Sequence, residues 1–273
     1  MANHLLFIPS ERTSLAIKAA TKAGDAILEI YTSNFSSEFK EDKSPITEAD
    51  KRSNEIIEQL LSPGGYPILS EESADSAERL SAKTIWIVDP LDGTSDFIER
   101  TGEFSVHIAL VTDGVPVLGV VYQPTTKTFF VAEQGRGAYR GDGEMWKHLK
   151  ASNVSEMSQV RFIMSRHHLQ PKEREFILRL GITRFEQRGS CGLKIAAVAC
   201  GAADAYVTFS SKICQWDTAP GYCILAEAGG RLTDLHGADV VYTMAGLNHA
   251  GGTLVTNGII HSAIVEHLKT YAV

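Results

Sequence analysis

Two aspartates three residues apart, Asp89 and Asp92, lie in the stretch IVDPLDGTSDF, where the apolar run TIWIV meets a Gly93-Thr94 step. Carboxylates this close repel each other unless a proton, a cationic side chain or a metal offsets their charge. Pro90 denies the next ladder donor and Gly93 permits a tight turn, so both side chains are expected where a strand ends at Asp89. The amides of Gly93 and Thr94 would then open a helix over Thr94 to Glu99, and amides at a helix start bind phosphate oxygens. Carboxylates beside an anion-binding turn call for a hard cation. Mg²⁺ fits, because it takes oxygen ligands from a few carboxylates and from the substrate's own phosphate. The aspartyl-phosphatase pattern, D-x-D-x-T after a strand, is disfavoured by the D-x-x-D spacing found here.

Further acids could join them. Glu71-Glu72 follow the run YPILS as Asp89 follows its own, so parallel neighbouring strands would bring Glu71 to the same edge. Asp217 lies in QWDTAPG and Asp50 in TEAD, both at helix starts. Each has a plainer role when taken alone. Asp-Gly is a turn dipeptide, a Glu pair is usually a solvated loop, Asp217 could be an N-cap, and Thr47-x-x-Asp50 is a capping box. The chemical reading depends on the fold bringing them together.

The elements that would do so follow from periodicity. Apolar residues from Leu15 to Ile30 recur at helical spacing over Glu11 to Tyr31, and a second helix is expected from Thr47 to Leu61, stopped by Ser62-Pro63-Gly64-Gly65. Short β-rich runs follow: YPILS, TIWIV, FSVHIALV, VPVLGVVY and KTFFVAE, with Asp113-Gly114 and Pro124-Thr125-Thr126 as turns. After the polar segment DGEMWKHLKASNVSEMSQ the chain alternates. RFIMS, a helix from Pro171, ITRFEQ, a helix over GLKIAAVACG, AYVTF, a helix over TAPGYCILAEAGG, RLTDL, TLVT and a final helix succeed one another. An α+β subdomain over residues 1–150 and an α/β subdomain over 151–273 are expected, packed as one layered body without a Pro/Ser-rich linker.

Composition narrows the classes. The 273 residues are 44% hydrophobic, ample for a core, and 26 Lys+Arg against 33 Asp+Glu leave a charge of -7. No basic stripe for a nucleic-acid polymer is evident, so an acidic protein handling phosphate needs local positive charge, most simply divalent cations. Cys191, Cys200, Cys214 and Cys223 show no metal-ligand spacing and read as reduced packing residues. No secretory signal pattern is seen, and the uncharged stretch Ala245 to Val265 is broken by Asn, His, Thr and glycines, wrong for a membrane span. A cytoplasmic enzyme acting on a small molecule is the expectation.

Taken together, Glu71-Glu72-Ser73, then Trp86 to Thr94 (WIVDPLDGT), then Trp216-Asp217-Thr218-Ala219 with Ala228-Gly229-Gly230 beyond resemble the inositol-monophosphatase superfamily of Mg²⁺-dependent, lithium-sensitive phosphatases. The resemblance covers nearly the whole chain. It implies a five-layered α-β-α-β-α sandwich. It also implies that Glu71, Asp89, Asp92, Asp217 and the Leu91 carbonyl hold two or three Mg²⁺ ions. By the same resemblance Thr94 and Asp50, with Glu71, prepare the attacking water, and Lys43 stands near the site. Most metal ligands would then lie in the first subdomain, with Asp217 and the specificity residues in the second.

Within the superfamily, DGTSDFIERTGEFSV resembles the bacterial 3'(2'),5'-bisphosphate nucleotidases, whose stretch has Glu-Phe-Ile or Asp-Phe-Ile followed by Gly-Glu-Phe, where simple inositol monophosphatases usually read Asn-Phe. By the same resemblance His168 in MSRHH lies near the nucleotide and Lys194 in GSCGLK contacts phosphate, so that Gly93, Thr94, His168, Lys194 and Asp217 form the substrate-binding set. As bare residues, His167 and His168 read equally as surface histidines, and Lys194 as a lysine solvating its head off a helix. Two positions depart from the nucleotidase pattern: Cys191 where serine is common, and Thr208 where many carry an arginine, with Lys212 as a candidate replacement.

The expected reaction is hydrolysis of the 3'-phosphate of 3'-phosphoadenosine 5'-phosphate to AMP and phosphate by a metal-activated water. The alternatives are an inositol, histidinol or sugar phosphatase and, from another class, an inert metal-binding regulatory relative. Homodimer formation is left open by the sequence.

Overall fold

Small residues on one face of α1 (Glu11–Tyr31), Ala16, Ala19, Ala20 and Ala23, are fully buried and let α2 (Glu48–Leu61) pack closely beside it. Ser10 caps α1, its side chain accepting from the Thr13 amide. The structure, a computed structural model, describes residues 7–39, 45–242, 245–249 and 251–271. Lys43 lies outside the described residues. A short antiparallel pair, β1 (Ser37–Phe39) and β2 (Pro45–Thr47), leads into α2.

The seven-stranded sheet runs in chain order from β3 to β9: β3 (Ile68–Ser70), β4 (Thr84–Asp92), β5 (Ser105–Thr112), β6 (Val115–Gln123), β7 (Thr128–Glu133), β8 (Ala138–Gly141) and β9 (Trp146–His148). Only β3 and β4 are parallel, as the expectation for Glu71 required; every other pair is antiparallel. Strands β8 and β9 were not expected. They form the sheet's far edge, where exposed Arg140, Lys147 and His148 make the segment read as a polar connection.

The five-stranded sheet has the order β11-β10-β12-β14-β13, from β10 (Arg161–Ser165), β11 (Arg184–Arg188), β12 (Ala205–Thr208), β13 (Arg231–Thr233) and β14 (Thr253–Thr256). Its helices are α4 (Pro171–Arg179), α5 (Cys191–Ala199), α6 (Gln215–Glu227) and α7 (His261–Thr270), and the short α3 (Thr94–Ile98) follows β4.

Alternation along the strands divides the core into layers. Trp86, Val88, Val106, Ile108 and Val120 face α1 and α2. From the opposite face Ile85, Ile87, Ala109 and Val121 meet Trp216, Ala219 and Ile224 of α6 and the apolar residues of α5. Those helices in turn cover Ile163, Tyr206 and Val255 of the second sheet. Phe162, Val207 and Leu254, on its far face, pack against Phe176 of α4 and Ile264 of α7. The result is the expected α-β-α-β-α sandwich. Its middle layer is seated tightly: a Cβ at Gly119 of β6 would overlap the Pro220 carbonyl, so only glycine lets α6 lie against the sheet. Among the described residues no helix is long and apolar enough to cross a membrane.

Candidate active site

The strand does not end at Asp89. β4 continues through Asp92, and the register explains how two aspartates three apart come to share one face. Asp89 pairs with His107 and Asp92 with Ser105, so three steps on β4 oppose two on β5. In a regular strand positions i and i+3 point to opposite faces; the extra residue of this bulge, at Pro90-Leu91, corrects the phase. The missing proline donor is thus absorbed by an irregularity in the ladder. The Asp89 carboxylate accepts the Leu91 amide at 3.0 Å, which fixes the bulge locally.

Ligand oxygens of Asp89, Asp92 and Asp217 all lie within 4.8 Å of one another. Asp217 reaches them from the first turn of α6. It is the third helical residue and not the N-cap: that position is Cys214, whose amide donates to the Asp217 carboxylate at 2.6 Å. Glu71 stands one residue beyond β3, its amide extending the parallel ladder to the Val88 carbonyl at 3.2 Å. The parallel pairing brings Glu71 beside Asp89 as anticipated, although β4 runs on past it.

The electrostatics of the three aspartates differ. Burial pushes Asp89 well up, and the charges of Glu71, Asp92 and Asp217 push it further. Asp217 is also raised, by burial and then by Asp92. Burial acts on Asp92 in the same sense, but His107 and Lys194, with a bond from Ser190, outweigh it and hold Asp92 down to about 2. A buried oxygen-rich pocket in which two of three carboxylates resist ionisation is one that a hard divalent cation relieves, so the residues fit a metal site.

Beside this group Thr94 donates its hydroxyl to Asp50 Oδ1 at 3.0 Å, with the Leu91 carbonyl 3.3 Å away. Asp50 is 1% exposed and completes the capping box of α2, accepting from the Thr47 amide at 2.7 Å and hydroxyl at 2.6 Å. The capping role and the position beside Thr94 coexist in one carboxylate. Burial raises its pKa against these bonds. Gly93, at φ +97°, turns the chain from β4 into α3 and thereby aims Thr94 at Asp50.

Lys194 is not solvated off its helix. It is 3% exposed, donates to the Ser190 carbonyl at 2.8 Å and lies over the Tyr206 ring. His168 is exposed at its loop, within electrostatic reach of Lys194 and Asp92. Thr208 is buried and its hydroxyl accepts from the Ser210 amide, while Lys212 is exposed. The Cys191 thiol is buried and raised by that burial, and all four cysteines are free.

Three neighbours of Asp92 escaped the sequence reading. Ser190, at φ 49° where a non-glycine residue is strained, donates to Asp92 Oδ2 at 2.5 Å, contacts the Ser105 hydroxyl at 2.7 Å and caps α5. His107, fully buried, places Nε2 2.9 Å from Ser105 and 3.2 Å from Asp92 Oδ2. Its Nδ1 lies 3.3 Å from the Trp216 carbonyl, and since a carbonyl only accepts, Nδ1 carries a proton. That carbonyl is available because Pro220, four residues on in α6, has no N–H to give it. The one visible signal was a proline inside the helical pattern TAPGYCILAEAGG.

Residues 8–271 match the inositol monophosphatase family. The chain is 38% identical over 236 residues to the 3'(2'),5'-bisphosphate nucleotidase CysQ of Salmonella typhimurium, covering 82% of this chain and 91% of that protein. Its fold is similar to that of CysQ from Bacteroides thetaiotaomicron, at TM-score 0.77 and 35% identity over 90% of this chain and 97% of the other. It is also similar to that of the extragenic suppressor protein SuhB from Bartonella henselae, at TM-score 0.82 and 27% identity over 95% and 99%. With a match over nearly its whole length and the family's layered fold, the chain belongs to the inositol monophosphatase family.

Proposed function

We propose that this chain is a Mg²⁺-dependent phosphomonoesterase that hydrolyses the 3'-phosphate of 3'-phosphoadenosine 5'-phosphate to AMP and phosphate. The observation that carries the reading is the convergence of Asp89, Asp92 and Asp217 within 4.8 Å beside the Thr94–Asp50 pair. Its supports are the nucleotidase names of relatives that match along most of their length. Glu71, Asp89, Asp92, Asp217 and the Leu91 carbonyl would hold two or three Mg²⁺ ions. When bound, they supply positive charge for the phosphoryl oxygens and leaving alkoxide and lower the pKa of a water.

The chain's own residues do the rest. Thr94 takes the proton of the attacking water as its own hydroxyl proton passes to Asp50 Oδ1, which burial has made more basic than a surface carboxylate. Glu71, beside Asp89, completes the water-preparing set. Gly93 and Thr94 hold the phosphate, while Lys194 and His168 face the remainder of the substrate. No covalent phosphoenzyme is involved. The enzyme is placed in the cytoplasm on this reading, acts on a small phosphorylated nucleotide, and has lithium as an inhibitor.

A second reading, an inositol or sugar phosphatase, draws support from the match to the inositol monophosphatase family and from buried Thr208 in place of an arginine. Phosphate release with Mg²⁺ from 3'-phosphoadenosine 5'-phosphate, AMP, inositol 1-phosphate and fructose 1,6-bisphosphate, each with and without lithium, decides between them. Selective, lithium-blocked turnover of the first is expected. Preference for an inositol or sugar ester overturns the nucleotide assignment, and no turnover of any favours an inert metal-binding relative. In the active case Asp92→Asn removes nearly all turnover while the protein stays folded.

A further inference from the structure

Two carboxylates of the segment after β4 are spent away from the metal group. Asp96, in α3, is 2% exposed, and burying an ionised carboxylate is costly unless it is paired. Its partner is Arg166, whose Nη1 donates to Asp96 Oδ1; Thr101 donates to the same oxygen at 2.7 Å. The other guanidinium nitrogen, Nη2, lies 2.6 Å from Glu103 Oε2. Glu103 Oε2 also accepts the Gly189 amide at 2.9 Å. Gly189 packs directly on Asp96, since a Cβ there would overlap the Asp96 carboxyl.

Arg166 is the first residue after β10 and is joined to β11 by its amide, which donates to the Arg188 carbonyl. The clamp therefore grips two connections of the second sheet at once. One is residues 166–168, which carry His168. The other is residues 189–190, whose Ser190 carbonyl receives Lys194 and whose hydroxyl bonds Asp92. Neither Asp96 nor Arg166 belongs to the three-carboxylate group or to the Thr94–Asp50 pair.

We infer that Asp96, Arg166 and Glu103 are positioning residues for substrate choice: they fix the His168 loop and the 189–190 turn into the helix of Lys194 at a set distance from the reacting centre, so that an ester bearing a nucleoside and a second phosphate is held. This rests on the proposed nucleotidase reading and extends it. The reacting phosphoryl group is gripped at Gly93 and Thr94, and Ser190 keeps its bonds to Asp92, Ser105 and the Leu193 amide without help from the clamp, so loosening the clamp acts first on the far end of the substrate. Misplacing a substrate-holding group by about 1 Å costs on the order of 10²-fold, and an effect confined to binding appears in KM with kcat kept.

The test uses the full chain with Asp96→Asn, which keeps shape and removes charge, with Asp96→Glu as the conservative control. Each is measured on 3'-phosphoadenosine 5'-phosphate and on p-nitrophenyl phosphate, which has neither base nor second phosphate. The expected result for Asp96→Asn is a KM raised about tenfold or more on the nucleotide, kcat within about twofold, and kcat/KM on p-nitrophenyl phosphate within about twofold. Asp96→Glu should recover most of the nucleotide KM. Equal losses on both substrates, or none on either, overturn the inference. Hydrogen exchange of residues 166–170 and 188–191 gives a readout independent of turnover. Exchange should quicken there in Asp96→Asn, and unchanged exchange overturns the clamp. If the wild-type protein prefers another phosphate ester, the nucleotidase reading fails separately, and exchange still decides whether the clamp holds these loops.

Discussion

Removing one charge from the acidic group should make the metal-free protein more stable while abolishing its response to metal. Asp89→Asn is the sharpest such change, because Asp89 is 1% exposed and the charges that act on it most, Glu71, Asp92, Asp217 and Glu72, are acidic. With ligand oxygens at most 4.8 Å apart, each charged pair repels by about 3.5 kcal/mol at an effective dielectric of about 20. Burial and these neighbours raise the Asp89 pKa, so protonation relieves part of that repulsion. An asparagine keeps the bond from the Leu91 amide but buries an amide group with a cost of about 1–3 kcal/mol. Setting one such pair repulsion against that cost leaves a net gain on the order of 1–2 kcal/mol, worth a few degrees in a chain of this size. The sign with pH follows. The folded state holds a proton that the unfolded chain releases above about 3.9, so this group's contribution weakens as pH rises through that window, and the variant loses that part of the slope. The assay is thermal unfolding in EDTA and in Mg²⁺. Wild type should gain about 2.7 kcal/mol at a hundredfold excess over Kd, and the variant far less. A variant that unfolds earlier in EDTA, or keeps the full magnesium shift, would refute the reasoning.

Thr94→Ala removes the hydroxyl between Asp50 and the site; turnover is expected to fall about 10²–10⁴-fold while the magnesium shift in unfolding temperature persists. Gly119→Ala would drive a Cβ into the Pro220 carbonyl and lift α6 with Asp217. A loss of about 1–3 kcal/mol in urea unfolding, together with weaker magnesium binding by calorimetry, is expected, and unchanged binding would count against α6 being seated by this contact. His249 and His261 are both lowered to about 4 by burial, His249 against Thr218 at 2.6 Å and His261 between Thr233 at 3.1 Å and Thr256 at 2.9 Å. The unfolded chain takes up protons near pH 6.5 that the folded state refuses, so stability should fall as pH drops from about 6.5 toward 4, by on the order of 3 kcal/mol per histidine. His261→Asn should flatten that acid limb in denaturant titrations.

Much of this site was legible because the deciding features are local. The helical spacing over Glu11–Tyr31 is reproduced to the residue, and the capping box at Thr47 and Asp50 is present as expected. Glu71 and Asp89 could be placed together because two apolar runs ending in acids imply parallel strands, as β3 and β4 are. The course of β4 beyond Asp89 was hidden, because a bulge is a relation between two strands and Pro90 alone reads as a stop. The same holds for Ser190, Ser105 and His107. Each looks like an ordinary polar residue in its own segment, and their partnership with Asp92 spans sequence separations of up to 98 residues. The burial of Lys194 was equally non-local, since it depends on Tyr206 and on the turn at Ser190.

These non-local contacts give the three aspartates different chemistry from one residue type. Among the described residues Asp92 has a bonded histidine and serine beside it, and it is held at about 2, ionised without a cation. Asp89 and Asp217 are raised, so a cation that binds them must displace protons. If a divalent cation binds here, Asp92 would offer a ligand already charged, while Asp89 and Asp217 would lose protons on binding. Asp92 is bonded to Ser190, whose strained backbone is continuous with the loop gripped by Asp96 and Glu103. Asp92 is also tied to α6 from the other side, through His107 and the Trp216 carbonyl that Pro220 leaves free.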